Sequence, residues 1–474
     1  MADNPDDDSE YRTISRYRDR IVEGPILRTL IWLGIPPMLN QLVTIAYNVA
    51  DAYWLSSYSE LSIVAPRQTR PILMLFQALL NALNAANLSM VSQYIGSKSF
   101  KEATYEASRF MTVAVASGLS LCMLLFSLRR YIFTTILSTP EEMLNYVLDY
   151  SAVISIDVFL NYIVLTYTTL LQALGDTRRP AFINIVAVTV NIILDPFLVL
   201  GIGPFPRLGV IGAAATDVMG KIISISAMAY IFMKNYPEFK IRLTRNIDIE
   251  WIRLVMRIGL PILATGSMNG FAFLLQLRII NMLGVIASAA YAIGFIIMDI
   301  ADAALWGLTG ATAVMVGQNL GAEKEGRARE IALKSALVVF LGVYVGAIIL
   351  YPIRWTLADV FADDVDIINE AALFLQMVLP SIAFFGLFQV ALSVGRGSGH
   401  TLIPTLIGVF RLWILRVLLG YILAFSMGMG SFGAWLSLAI SNFIGGILSL
   451  AWIKYGRWTK AVIKRKRIAK PTSF

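Results

Sequence analysis

Residues 186–200 read VAVTVNIILDPFLVL, an apolar run with a carboxylate at Asp195, a proline directly after it and an amide one helical turn before it at Asn191. A second isolated carboxylate, Asp51, lies near the end of the first apolar run, close to Trp54 and Ser56. A charge at mid-bilayer costs at least about 2.5–3.5 kcal/mol on insertion scales, so packing does not explain its presence. Carboxylates with amide and hydroxyl neighbours can hold Na+ through oxygen ligands, or can share a proton, because two close carboxylates resist ionising together. Asp51, Asn191, Asp195 and the hydroxyl of Thr216 are therefore the candidate cation- or proton-coupling group, and Asp51, Asn191 and Asp195 are the ligands that Na+ would take. Asp195 falls about 22 Å along a helix entered at Pro180, and Thr216 about 12 Å along the next, which places both in the outer half of one bundle. Pro196 lacks an N–H and so frees the carbonyl four residues back.

Other polar side chains in apolar runs suggest a cavity. Gln77, Asn81, Asn84 and Asn87 are spaced four, three and three, which lines them along one helical face. Asp157 and Asn161 sit one turn apart in the fourth run, while Asp217, next to Thr216, would point about 100° away from it as a structural polar group. Gln276, Arg278, Asp299 and Asp302, with Arg411 and Arg416 further on, supply the second half of the chain. There, cations and carboxylates occur together and ion pairing is the plainer reading. One histidine, His400, and one cysteine, Cys122, leave zinc, haem and iron–sulfur sites without their usual ligands and allow no intrachain disulfide. The chain lacks HExxH, a histidine-rich set and DDxxD, and its acidic cluster FADDVDIINE (361–370) reads as a solvated loop, so an enzyme is not expected. No cofactor is expected beyond a coupling H+ or Na+.

The elements that must position these groups are membrane spans. Of 474 residues, 57% are hydrophobic and 15% charged, against about 25% charged in a typical soluble domain. Apolar runs of bilayer length recur near 27–55, 70–95, 106–128, 142–172, 180–201, 208–233, 252–282, 285–314, 331–352, 366–394, 403–427 and 431–454. The expected fold class is an all-α polytopic membrane protein of about twelve helices. The acidic-then-basic N-terminus does not read as a cleavable signal peptide. Lys and Arg concentrate in alternate connections and in the tail after residue 454, so the positive-inside rule places both termini in the cytoplasm of a multi-pass plasma-membrane protein. The net charge of +8 is thus a topology signal, and no nucleic-acid partner is expected.

The chain repeats itself. RTLIWLGIPPML at 28 resembles RLVMRIGLPILA at 253, and VSQYIGSKSFKEA at 91 resembles VGQNLGAEKEGRA at 316, each 225 positions apart. ALGDTRRP pairs with RGSGHTLIP at an offset of 224, aligning Thr177 with Thr401, and LGVIGAAAT near 208 pairs with MGSFGAWLS near 429. The organisation is an N-terminal tail (1–24), an N-lobe (25–235), a linker (236–250), a C-lobe (251–455) and a basic tail (456–474). Two six-helix lobes related by a pseudo-two-fold repeat are an architecture of secondary transporters. The second copy has Gln276 where the first has Asp51 and Leu419 where the first has Asp195, so the fold does without those carboxylates.

GDTRRP at 175–180, NIILDP at 191–196, GVIGAAAT at 209–216 and VGQNLGA at 316–322 resemble the MATE (multidrug and toxic compound extrusion) family, in its prokaryotic and archaeal branch. The resemblance covers nearly the whole chain outside the tails. It implies twelve helices in two lobes and export of amphiphilic, often cationic compounds by alternating access, driven by H+ or Na+. It also implies an N-lobe cation site at Asp51, Asn191 and Asp195, with Thr216 as hydroxyl partner. The fourth-helix amide of such sites is displaced here, Asn161 lying about one turn off, and Gln276 argues against a C-lobe ion site. Partners implied are a small-molecule substrate and the bilayer, with the chain working as a monomer. The alternative is a lipid or lipid-linked oligosaccharide flippase of the same superfamily, which would favour Arg278, Arg411 and Arg416.

Overall fold

A computed structural model describes residues 11–59, 64–137 and 139–463. Among these, every regular element is a helix. The N-lobe holds α2 (Ile26–Tyr58), α3 (Val64–Gly96), α4 (Phe100–Ile136), α5 (Glu141–Ala173), α6 (Arg178–Leu200) and α7 (Val210–Asn235). The C-lobe holds α8 (Ile249–Met282), α9 (Val285–Gly321), α10 (Glu325–Leu350), the short α11 (Arg354–Asp359), α12 (Val365–Ser398), α13 (Leu402–Ser426) and α14 (Gly430–Tyr455). Among the described residues, eleven helices are long and apolar enough to cross a membrane, and α9, with 37 residues, is the twelfth long helix. Several outrun the expected spans, because a helix continues past the hydrocarbon layer until a turn or cap stops it. Pro196 does not break α6, which runs on to end at Gly201 in the left-handed conformation.

The repeat is visible as packing. Within the lobes α3 packs on α5 and α9 on α12, α5 on α7 and α12 on α14, α6 on α7 and α13 on α14. Between the lobes the exchange is reciprocal, α2 against α9 and α8 against α3. At these crossings a Cβ on Gly34 would come within 2.9 Å of Leu308, and one on Gly259 within 2.8 Å of the Ala82 carbonyl, so small residues let the helices meet.

The end that carries both termini is sealed. Gln93 of α3 reaches into the C-lobe and donates to the carbonyls of Gly397 and Ser398, both 3.2 Å, while its repeat partner Gln318 donates to Ala173 of the N-lobe at 2.8 Å. The neighbouring glycines interlock, since a Cβ on Gly96 would overlap the Gln318 carbonyl and one on Gly321 the Gln93 carbonyl. Residues 12–23, within what reads as a plain tail, form a helix, α1 (Arg12–Glu23), that buries Ile14, Arg18, Ile21 and Val22. Arg18 Nε donates to Gly96 O (3.0 Å) and Asn319 Nδ2 to Ile21 O (3.4 Å), so α1 straps both lobes. The chain after α14 returns to the same place, where Val462 N donates to Gln93 Oε1 at 2.9 Å. The linker lies along α4, held by Arg109 Nε to Asn246 O (2.7 Å) and an ion pair to Asp248 (2.7 Å).

The apolar core forks away from this seal. One cluster runs through both lobes at the termini end, from Ile14 and Leu33 to Val316, Val394 and Ile453. Toward the other end it splits into an N-lobe limb around Leu55, Phe133 and Val199 and a C-lobe limb around Tyr291, Phe374 and Trp435.

Candidate functional site

The N-lobe limb holds the acidic group. α6 and α7 approach closely, because a Cβ on Gly220 would come within 2.5 Å of Asn191 Oδ1. Asp195 is fully buried, and Thr216 Oγ1 donates to its Oδ1 at 2.5 Å while Oδ2 has no protein partner. Asn191, one turn deeper, donates to Asp217 Oδ1 at 3.3 Å, and Tyr47 of α2 donates to the same oxygen at 2.6 Å. Turned over, the Asn191 amide would instead donate to Thr216 O at 2.8 Å. In either orientation the amide links α6 to α7, through Asp217 or through Thr216. Asp51, on α2, is half-buried and lies within electrostatic reach of both Asp195 and Asp217. None of these three carboxylates has a basic partner among the described ion pairs.

Asp217 is thus part of the group and does not point away from it. Spacing along one helix gives a direction but not how closely the next helix crosses. Type and spacing do not single out Tyr47 or Tyr150 either. Tyr150 of α5 lies within electrostatic reach of Asp217, Asp51, Asp157 and Asp195, a contribution from the fourth span at a different residue from Asn161.

Asp157 and Asn161 serve a neighbouring cavity of about 190 Å3, lined also by Phe76, Gln77, Tyr162 and Lys221. Lys221 Nζ pairs with Asp157 at 2.5 Å, Asn161 Nδ2 donates to Gln77 Oε1 at 3.2 Å, and Gln77 Nε2 to Asn81 Oδ1 at 3.1 Å. The Lys221 charge also reaches Asp217, so this cavity adjoins the acidic group. Such a polar cavity has room for water beside the acidic group. Asn84 is placed away from this lining, with a buried Oδ1 that has no protein partner.

The C-lobe candidates are not assembled in the same way. Gln276 is 3% exposed with both amide atoms unpartnered, Arg278 is exposed on α8, and Asp302 accepts from Gln389 Nε2 at 3.0 Å. The Asp299 side chain lies outside the described residues. Arg411 and Arg416 are buried together on α13.

A family model, MatE, matches residues 36–197 and again 261–422, two copies at the offset of the internal repeat. The chain belongs to the MatE family. It is 23% identical over 474 residues to a probable multidrug resistance protein NorM of Thermotoga maritima, covering 97% of this chain and 99% of that one. It is 24% identical over 444 residues to an FAD transporter of Shewanella oneidensis, covering 91% and 95%. Among solved structures, the Vibrio cholerae MATE transporter VcmN in the bent form superposes with a TM-score of 0.84 at 19% identity, covering 94% of this chain and 98% of that one. This MatE protein is a multi-pass membrane transporter by family, with the fold of those structures.

Proposed function

We propose that this MatE protein is an antiporter that exports amphiphilic, often cationic compounds from the cell, using H+ or Na+ bound in the N-lobe as the coupling ion. The observation that carries the reading is the Asp51–Asp195–Asp217 group, three carboxylates on α2, α6 and α7 with hydroxyl and amide neighbours and no ion pair among the described residues, with the charge of Lys221 reaching Asp217 from the adjoining cavity. The forked core supports alternating access: one end is sealed by both lobes, and the limbs separate toward the other. With the termini in the cytoplasm of the plasma membrane, as the distribution of Lys and Arg suggests, this conformation faces outward. On this reading the chain works as a monomer.

In proteoliposomes, imposing a pH gradient and a Na+ gradient separately is expected to accelerate ethidium transport with one cation or both. Transport indifferent to both gradients would reject the antiporter. The flippase reading draws on the buried arginines of the C-lobe, and scrambling of labelled anionic lipid without response to pH or Na+ would favour it.

The pH response should come from carboxylates. His400, at the turn between α12 and α13, is half-buried with Nδ1 3.2 Å from Ser398 O, and burial pushes its pKa below the usual histidine value near 6.5. It is therefore neutral at pH 7 and takes a proton only in acid, where that charge opposes folding. His400→Gln is expected to leave the pH profile of transport between pH 6.5 and 8.5 unchanged. A displaced profile would mean that the histidine, and not the acidic group, sets it.

A further inference from the structure

The two lobes differ in charge around one equivalent contact. In the N-lobe Lys221 pairs with Asp157. The aligned residues of the C-lobe are Asn442 and Ser381, and Asn442 Nδ2 donates to Ser381 Oγ at 3.1 Å. The same scaffold contact is thus neutral in the second copy, and two cations converge on it. Arg411 Nη1 donates to Asn442 Oδ1 at 3.0 Å, Arg416 Nη2 to the same oxygen at 3.2 Å, and Arg416 Nε to Ser441 Oγ at 3.4 Å.

The backbone explains the convergence. Residues five apart on an α-helix point about 140° away from each other. Over Phe410–Leu418, however, α13 is π-helical, and its i→i+5 bonding stacks residues five apart on one face. Arg411 and Arg416 are such a pair. Each is 4% exposed.

Two guanidiniums on one neutral oxygen are short of negative charge. Neither arginine belongs to an ion pair among the described residues, and Arg411 Nε is buried with no partner. Asp302 lies within electrostatic reach of Arg411 and also accepts a hydrogen bond from Gln389 Nε2. Phe385 and Phe388 lie against Arg411, with ring centroids 5.0 and 4.7 Å from its guanidinium carbon, and form an apolar wall beside the charges. Planar guanidiniums bind carboxylate and phosphate oxygens with paired N–H donors, and a buried cation demands such a counter-charge.

We propose that Arg411 and Arg416 form an anion site in the C-lobe core that takes the phosphate or carboxylate group of an amphiphile, whose apolar part packs on Phe385 and Phe388. The amphiphile is a transported substrate only if the transporter reading of this chain holds; the binding itself does not depend on that reading. The N-lobe and C-lobe would then hold opposite charges, a cation in one limb and an anionic group in the other.

Calorimetric titration of the purified chain in phosphatidylcholine nanodiscs, with hexyl phosphate, inorganic phosphate and hexyltrimethylammonium, tests the site without measuring transport. Hexyl phosphate is expected to bind more tightly than inorganic phosphate. Its affinity should fall at least tenfold in Arg411→Gln and in Arg416→Gln, with hexyltrimethylammonium unaffected. Because a buried arginine variant can fail to fold, Asn442→Asp is the second probe. Its carboxylate supplies the missing counter-charge from within, so hexyl phosphate should lose at least tenfold in affinity while the thermal midpoint holds or rises. Weaker hexyl phosphate binding in phosphatidylglycerol nanodiscs would identify a lipid headgroup as the occupant, and unchanged binding a soluble amphiphile. The site is overturned if hexyl phosphate does not bind, or if its affinity is the same in Asn442→Asp as in the parent protein.

Discussion

Asp195→Asn is expected to reduce gradient-driven efflux at least 100-fold while leaving the protein folded and as heat-stable as before, or slightly more so. Asparagine keeps the shape of the side chain and an Oδ1 that can accept the 2.5 Å hydrogen bond from Thr216. It removes only the charge, and a buried carboxylate with one oxygen unpartnered is a cost to folding, not a support for it. The second lobe has Leu419 at the equivalent position, so the scaffold tolerates a neutral residue there. Asp51→Asn should behave alike, since Asp51 shares the field of Asp195 and Asp217 without a basic partner among the described residues. Asp157→Asn is the contrast, because it removes the carboxylate that pairs with Lys221, leaving the ammonium to the more distant charge of Asp217, and should destabilise by up to about 3 kcal/mol. The measurement is dye efflux from vesicles under an imposed ion gradient, beside thermal unfolding of the same preparations. Full coupled efflux in both Asp195→Asn and Asp51→Asn would remove the acidic group from the mechanism.

The twelve helices, the repeat and the isolated carboxylates were legible because each leaves a local mark: an apolar run of bilayer length, a string recurring at a fixed offset, a charge among Ile and Leu. Three features left no such mark. Asp217 joins the group because α6 and α7 meet at Gly220, so a wider arc of α7 faces Asn191 and Asp195 than one helical face suggests. Lys221 reads as an ordinary charge until Asp157 is found opposite it on another helix. Arg411 and Arg416 share a face only because α13 departs from α-helical bonding, and periodicity arguments assume that bonding. The strap α1 could have been found, since Ile14, Arg18, Ile21 and Val22 follow helical spacing, but a charged segment before the first span reads first as a tail.

Gly321→Ala is expected to open the end of the molecule that holds the termini. The Gly96–Gln318 and Gly321–Gln93 contacts are the same contact in the two repeats, each a glycine under a backbone carbonyl of the opposite lobe. A methyl group cannot share that space, and the carbonyl cannot yield without shifting α3, whose Gln93 side chain also holds Gly397, Ser398 and Val462. Overpacking of this kind costs about 1–3 kcal/mol, and here the cost falls on the sealed conformation alone, because lobes that have parted relieve it. That difference shifts the ratio of open to sealed molecules by roughly 5- to 150-fold. Ser89, fully buried beside the Gly397 carbonyl, reports the change. In a Cys122→Ser background, Ser89→Cys should be slow to react with a membrane-impermeant maleimide and should become at least fivefold faster when Gly321→Ala is added. Gly342→Ala, where an added Cβ meets open space, is the control and should change nothing. Equal labelling rates with and without Gly321→Ala would mean that the interlocked glycines do not hold the lobes together.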